Sequence, residues 1–596
     1  MVYTKSFYKD PPAAPDTNFY NILFNREDQK SWPDYTLHID ARTGRRRTYR
    51  QYLERVRDGA TVLRAGVSDG GLGLAGEEHG EIVGIMSENS MVRALLLSTQ
   101  QCSRLSIQDY IVLITSLITA AIPFAPIPSY SKPFELRHAL KLSKVTQLFV
   151  HARFLPSVLP IAKEVGLSTQ RIYILGGRIN GRQSFADMID NVRHNNIPRI
   201  PVQPAKKDTL AYLVFSSGTT GLPKAVMISH GNLITSMLQS IVVGIEMKSV
   251  YTPPPIPTPE GIPISLAFLP FHHSYGLHAF IFKGFLAPTT FVFMDQWNID
   301  RALEAVSKYR ITNLLLVPSV VHQLVNHPGT KKADLSSVIH VMSGAAYLPP
   351  ELSSKMTSLT KRNIPVTEGF GMSECTISAM LKPFPGTLGG RGKLVEGSSG
   401  ILLPGLEARI VREDGSETEY NEAGELWLRG ANVAMGYWDN AQATAETFLT
   451  DGWLRTGDHF RVTEDGYFFF ADRAKDTLKV SGSQVSPVEI ENVLLAHPDK
   501  LIMDVSVAGV SGGRTSDEKV PRAWVVLSPA GKKVGAANVV KALVAWHEEN
   551  LSKFKWLRGG IEIVPEIPKS PTGKVLRRVL QDKYERHLRK RLKAKL

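Results

Sequence analysis

Seven residues that could bind phosphate fall in one short run, SSGTTGLPK: Ser216, Ser217, Gly218, Thr219, Thr220, Gly221 and Lys224. Glycines let successive backbone N–H groups converge on one anion, hydroxyls add further donors, and an ammonium adds charge. The preceding AYLVF reads as a strand. The following AVMISHGNLITSMLQSI reads as a strand end and then a helix, so the run is the turn between them. It is not a Walker loop, which needs GxxxxGK[ST]. Here two residues separate the glycines, and Lys224 is followed by Ala225. On residue types alone, a flexible linker and a phosphate cradle both remain open.

Whatever this run does, other elements must hold it. With 596 residues the chain exceeds the size of a single core, and 43% hydrophobic with 21% charged residues reads as globular. Short β-branched runs, EIVGIMS, QLFVHA, RIYILGG, TNLLLVPS and SVIHVMSG, alternate with helical periodicity. That alternation predicts α/β layers with parallel strands. After about Ile401 the texture turns to hairpins, LEARIVREDGSE with its Asp-Gly turn and GYFFFADR after Glu464-Asp465-Gly466. The charged DRAKDTLKVSGSQVSP then leads to a smaller α+β region, so residues 1–472 are expected to form one domain and 473–596 a second. YTPPPIPTPEGIP and GTLGGRGKLVEGSSG read as surface loops.

The net charge of +14 raises the question of nucleic acid. The basic residues are scattered, however, clustering only at Arg45–Arg47 and Arg586–Lys595 without interleaved aromatics, and no such partner is expected. Cys102 and Cys375 offer neither a disulfide framework nor a metal spacing. The N-terminal MVYTKSFYKDPPAAPD lacks a signal-peptide core. Tyr110–Pro128 is apolar but broken by Pro123 and Pro126, and reads as a buried helix running into a strand rather than a membrane span. The chain ends Ala594-Lys595-Leu596, close to the SKL peroxisomal address. A peroxisomal import receptor is therefore an expected partner, and the cytoplasm is the expected location otherwise.

YLVFSSGTTGLPKAVMISHGN resembles the phosphate-loop signature of the adenylate-forming superfamily, which includes acyl-CoA synthetases, coumarate:CoA ligases, peptide-synthetase adenylation domains and beetle luciferases. FLPFHHSYG, SGAAYLPPEL, EGFGMSE, GELWLRGANVAMGYWDN, GWLRTGDHF, DRAKDTLKVSGSQVSPVEIENVL and PKSPTGKVLRR follow in the superfamily's order. The resemblance implies a large N-terminal α/β domain of layered sheets with a small β-barrel-like part, and a smaller, mobile C-terminal α+β domain. It also implies two half-reactions. A carboxylate attacks the α-phosphate of ATP to give acyl-adenylate and pyrophosphate, and a thiol, usually that of CoA, then attacks the acyl carbonyl.

By the same resemblance the run 216–224 grips the departing pyrophosphate. Glu374 helps hold Mg²⁺, and Ser373, where threonine is more frequent, contacts the α-phosphate region. Glu368, Gly369 and Phe370 belong to the nucleotide site, with Phe370 offering adenine a flat ring where many relatives have tyrosine. Asp458 accepts the ribose hydroxyls, for which two carboxylate oxygens suit. Arg473 corresponds to the hinge arginine. Lys574 bridges carboxylate and phosphate as a mobile point charge. His273, with His272 as rival, stands near the acyl carbonyl and thiol channel, and Tyr275, Gly344, Ala345 and Ala346 line the acyl pocket. Lys479 and Gly482 belong to the segment that approaches the adenylate in the thiol half-reaction. Ser481 stands where plant relatives carry a lysine linked with CoA, which leaves Gly482 to admit the pantetheine arm.

One stretch departs from the pattern. VRALLLSTQQCSRLSIQ, Val92 to Gln108, interrupts the join of ENSM to DYIVL. It reads as a surface insertion or as translated intron sequence, and the clean join on its removal favours the second. Together these features predict an AMP-forming acid:CoA ligase using ATP, Mg²⁺, CoA and a small carboxylic acid. Loading of a carrier protein, a luciferase-like oxygenase and a non-catalytic acyl-nucleotide binder are the competing readings.

Overall fold

The computed structural model describes residues 3–88, 108–176, 179–216, 222–253, 255–345, 348, 350–473, 478–480, 483–512, 519–568, 575 and 577–593. Two compact units divide the chain. The first gathers Met1–Ser129, Leu140–Phe215 and Ala225–Asp472, and the second gathers Tyr130–Ala139, Ser216–Lys224 and Arg473–Leu596.

The first unit is built on three sheets. Its β-branched runs become the strands Val83–Met86, Gln147–His151 and Ile172–Gly176, which pair in parallel within a six-stranded sheet. Leu210–Ser216 and Lys224–Ser229 complete one edge of it. A nine-stranded sheet carries Asn313–Leu316, His340–Ser343 and Val366–Phe370 as parallel neighbours, then reverses at Met380–Leu381. Runs such as ILGG and LLLV are continuously apolar because both faces of these sheets are covered. The third sheet is antiparallel, with Tyr3–Lys5, Glu407–Val411, Gly424–Arg429, Leu454–Val462 and Phe468–Arg473 in that spatial order. Its hairpin turns fall at Gly415 and Gly466, whose φ values of 86° and 76° suit glycine.

Tyr110–Pro128 is a buried helix, Gln108–Thr119, running into the strand Phe124–Pro126. Residues 92–107 of the interrupting stretch lie outside the described residues. Among the described residues one helix, His230–Val250, is long and apolar enough to cross a membrane. Its first turns are buried and bonded to protein: His230 Nδ1 accepts from the Phe19 amide at 3.0 Å, and the Gln239 amide donates to the Pro404 carbonyl at 2.9 Å. Ser229 caps it in a reciprocal box with Asn232. The strand Lys224–Ser229 therefore turns directly into the helix, and the backbone leaving Lys224 is fixed.

In the second unit the hairpin Leu478–Val480/Ser483–Val485 precedes helix Pro487–Leu495. Next comes a three-stranded sheet in which Ile502–Ser511 and Lys519–Leu527 are antiparallel and Ile561–Ile563 adds in parallel. Helices Ala536–Asn550 and Arg577–Lys593 follow the same pattern of apolar contacts: Val539 and Leu543 pack with Val480, Ile490 and Val507, and Leu580 packs with Val510 and Trp524.

A buried ion cluster sits within this unit. Lys555 Nζ lies 2.6 Å from Glu135 and 2.8 Å from Glu489. The side chains of all three are at most 7% exposed. Ser552 Oγ and the Lys132 amide also donate to Glu135, at 2.6 and 2.9 Å, and Tyr130 meets Phe554 edge to face. Burial raises the Glu489 carboxyl above its ordinary range against the pull of Lys555. The ammonium is in turn held well above its own range by the carboxylates despite its burial.

Candidate active site

The residues of EGFGMSEC fold into a strand, Val366–Phe370, and a single turn, Ser373–Cys375. Glycine is required at both joints. A Cβ on Gly369 would stand 2.7 Å from the Met380 carbonyl oxygen, and one on Gly371 only 1.6 Å from that of Ile377. The chain leaves the turn through Thr376 and Ile377, at φ 50° and 88°. Left-handed backbone is unusual for β-branched residues and persists only where surrounding bonds over-determine it. Here the Thr376 hydroxyl donates to the Asn432 carbonyl at 2.6 Å, and the Ile377 amide to the Met372 carbonyl at 3.1 Å.

These bonds join two motifs that are far apart in sequence. Asn432 donates to the carbonyls of Cys375 and Ser378 at 2.9 and 3.2 Å, and the Ala434 amide donates to the Glu374 carbonyl at 2.9 Å. Asn232, from the capped helix, holds the same loop by donating to the carbonyls of Ala431 and Val433. Tyr437 closes the assembly, its hydroxyl donating to Glu374 Oε1 at 3.0 Å. Burial and the Glu374 carboxylate hold the Tyr437 phenol well above its ordinary range, so it keeps the proton it donates.

The adenine and ribose candidates meet on the third sheet. The Phe370 ring packs edge to face on Phe460, with centroids 4.7 Å apart. Asp458 lies two residues before Phe460 in the strand Leu454–Val462, and alternation puts both on one face. Asp458 is buried, and its amide donates to Thr456 Oγ1 at 3.1 Å. Glu368 pairs with Lys382 at 2.7 Å in a nearly buried bridge.

FHHSYG forms another tight corner. A Cβ on Gly276 would stand 2.3 Å from the Pro270 carbonyl, so only glycine lets the short helix Ser274–Leu277 fold back there. His273 caps that helix, with Nδ1 accepting from the Tyr275 amide at 3.2 Å. The neutral ring therefore carries its proton on Nε2. The side chain is accessible to solvent, yet the protein around it desolvates it and pulls its basicity below that of free imidazole. Its rival His272 is buried and depressed further, to about 3, by burial and then by His273. Tyr275 packs against Gly344, whose added Cβ would lie 3.4 Å from the ring. Ala345 turns the strand end with φ 66°. Ser274 Oγ lies 2.8 Å from Ser373 Oγ, linking the two corners.

Phe370, Ser373, Glu374, Asp458, His273, Tyr275, Gly344 and Ala345 are thus all placed in the first unit. Ser216 and Lys224 end and begin strands of the six-stranded sheet but are grouped with the second unit. Arg473 closes the strand Phe468–Arg473, and Lys479 lies in the hairpin strand Leu478–Val480. Ser217, Gly218, Thr219, Thr220, Gly221, Ala346, Gly482, Lys574 and Ala594–Leu596 lie outside the described residues. Among the described residues no group of three His, Cys, Asp or Glu could enclose a metal. A lone carboxylate such as Glu374 fits Mg²⁺, which takes most of its ligands from water and nucleotide phosphates.

Sequence reasoning did not single out Tyr437, Asn432, Ser274 or Lys382. Tyr437 and Asn432 lie in the motif ANVAMGYWDN, whose order was noted while none of its side chains received a role.

Residues 106–438 match the AMP-binding enzyme family, and residues 489–574 match the AMP-binding enzyme C-terminal domain. The chain is 36% identical over 400 residues, 67% of either chain, to a probable 4-coumarate–CoA ligase 1 of Dictyostelium discoideum. It is 31% identical to acyl-CoA synthetase 7 of Caenorhabditis elegans, over 76% of this chain and 79% of that one. The amide bond synthetase McbA from Marinactinospora thermotolerans shares the fold, with TM-score 0.72 at 21% identity over 95% of this chain and 99% of that one.

Proposed function

The chain belongs to the AMP-binding enzyme family, and from that premise we infer that it is an ATP-dependent acid:CoA ligase. A carboxylate oxygen attacks the α-phosphorus of ATP, pyrophosphate leaves, and the thiol sulfur of CoA then displaces AMP from the acyl carbonyl. One observation carries the reading to particular residues. Tyr437 is bonded to Glu374, which follows Ser373 in a turn closed by its own hydrogen bonds, beside a strand that ends in Phe370. Phe370 rests in turn on the strand that carries Asp458.

Each side chain suits its part. Phe370 offers a ring face to adenine and Asp458 two acceptors to the ribose. Ser373 offers a hydroxyl donor to the α-phosphate. Glu374, fixed by Tyr437, would hold Mg²⁺, which when bound offsets the charge of the phosphates. Neutral His273 carries its proton on Nε2 and can donate it to an acyl oxygen. The run 216–224 supplies donors to pyrophosphate, Arg473 contacts the nucleotide, and Lys574 draws carboxylate and phosphate together. Lys479 and Gly482 serve the thiol step.

The test is incubation with ATP, Mg²⁺, CoA and a panel of aryl, medium-chain and long-chain acids. AMP and pyrophosphate should appear in equal amounts, only with a suitable acid, together with acyl-CoA. Turnover with no acid on the panel would remove the reading. Turnover that ignores CoA and needs a carrier protein, or that consumes oxygen, would replace the acceptor.

The ending Ala594-Lys595-Leu596 supports residence in the peroxisome through an import receptor. A fluorescently labelled chain lacking those three residues is expected to stay in the cytoplasm. Continued punctate import of the shortened chain would remove the assignment.

A further inference from the structure

Ser373 has a difficulty as a phosphate donor. A serine hydroxyl on an unbranched carbon visits three rotamers and spins about its C–O bond, so nothing in the residue itself aims its proton. The structure supplies an answer in Ser274, whose Oγ lies 2.8 Å from Ser373 Oγ. Ser274 is 4% exposed, whereas Ser373 is half-buried and can still reach a ligand.

Phosphate oxygens only accept. If Ser373 donates to the α-phosphate, its lone pair must receive the Ser274 proton, and the pair has one working direction: Ser274 to Ser373 to phosphate. A hydroxyl that accepts one hydrogen bond donates the next more strongly. Both ends of the relay have fixed backbones. Ser274 opens the corner that Gly276 lets fold against Pro270, with the His273 amide donating to the Pro270 carbonyl at 3.2 Å. Ser373 opens the turn closed by Cys375 and Thr376 amides donating to Met372 and Ser373 carbonyls at 3.2 and 3.1 Å.

We propose that Ser274 is a positioning residue for acyl-adenylate formation, acting through Ser373 by fixing its rotamer and the direction of its proton. The proposal rests on the ligase reading above. It concerns the α-phosphate, which ATP, acyl-adenylate and AMP share, so adenosine and the acid should not feel it.

Two measurements test it. In calorimetric titration, Ser274→Ala should weaken AMP binding about tenfold while leaving adenosine within about twofold. In turnover, Ser274→Ala should lower the kcat of acid-dependent pyrophosphate release about tenfold. KM for the acid should stay near wild type. Adding Ser373→Thr to Ser274→Ala should restore both AMP affinity and kcat to within about threefold, because a β-branched side chain holds its own χ1. Equal losses for AMP and adenosine, a comparable rise in KM for the acid, or no rescue by threonine would each overturn the positioning role. A wild-type protein that neither binds AMP nor turns over would instead bring down the ligase reading, and this inference with it.

Discussion

Lys574→Ala is expected to slow acyl-adenylate formation by about 10²–10³-fold, the cost typical of removing one positioned donor from an oxyanion site. Two anions, a carboxylate and a triphosphate, must come together at the α-phosphorus, and their repulsion in a desolvated site is what the ammonium offsets. Once the adenylate exists that repulsion has gone, so thioester formation from supplied acyl-adenylate and CoA should remain within about threefold of wild type. Rapid-quench measurement of pyrophosphate and acyl-CoA in separate single turnovers reads the two steps apart. Lys574→Arg should recover little, because a planar guanidinium fork cannot replace a compact charge on a flexible stem. Equal losses in both half-reactions would remove Lys574 from its assigned role.

The second large effect concerns stability. Lys555→Met should destabilise the protein by about 3–5 kcal/mol, the range for breaking a buried ion pair by removing one partner. The methionine fills the space, but Glu135 and Glu489 remain buried with no cation between them. Already in the wild type burial holds the Glu489 carboxyl above its ordinary range, and Lys555 is the group that pulls it back down. Without the lysine the shift should grow. A carboxyl whose folded pKa is raised stabilises below its unfolded value, about 4.3, and that contribution disappears as pH rises through the folded value. The deficit of Lys555→Met should therefore be full near pH 8 and shrink as pH falls toward 4.5. Adding Glu135→Gln and Glu489→Gln should recover most of it at neutral pH, since no charge then remains uncompensated. Denaturant titration at several pH values reads all of this. A deficit independent of pH, or one that the double glutamine leaves unchanged, would show that lost packing rather than stranded charge is responsible.

The strands were legible because burial on both faces leaves a local mark. LFV and IYILG are continuously apolar, and the structure places both inside a parallel sheet. The hairpin turns were legible through Asp-Gly pairs, since few other residues take the required φ. The roles expected of Glu374 and Asp458 rest on whole motifs, as a lone carboxylate carries no signature of its task. What stayed hidden has a common cause. Asn432 works by donating to two backbone carbonyls, and a carbonyl is present at every residue, so no spacing or residue type announces the bond. Nothing local marks Ser274, because the hydroxyl it meets is 99 residues away. Nor could periodicity reveal that Tyr130–Ala139 packs with the unit containing residues 473–596, since that pairing depends on the tertiary placement of Glu135 and Phe134.

This last pairing bears on how the protein is made. Glu135 and Lys555 are 420 residues apart in the chain. At about 5–20 residues per second, the carboxylate emerges from the ribosome roughly 20–80 seconds before the ammonium that will neutralise it. For that interval the glutamate must stay hydrated and the apolar Phe134 beside it must wait uncovered. Until then this piece is open to chaperones and to neighbouring nascent chains.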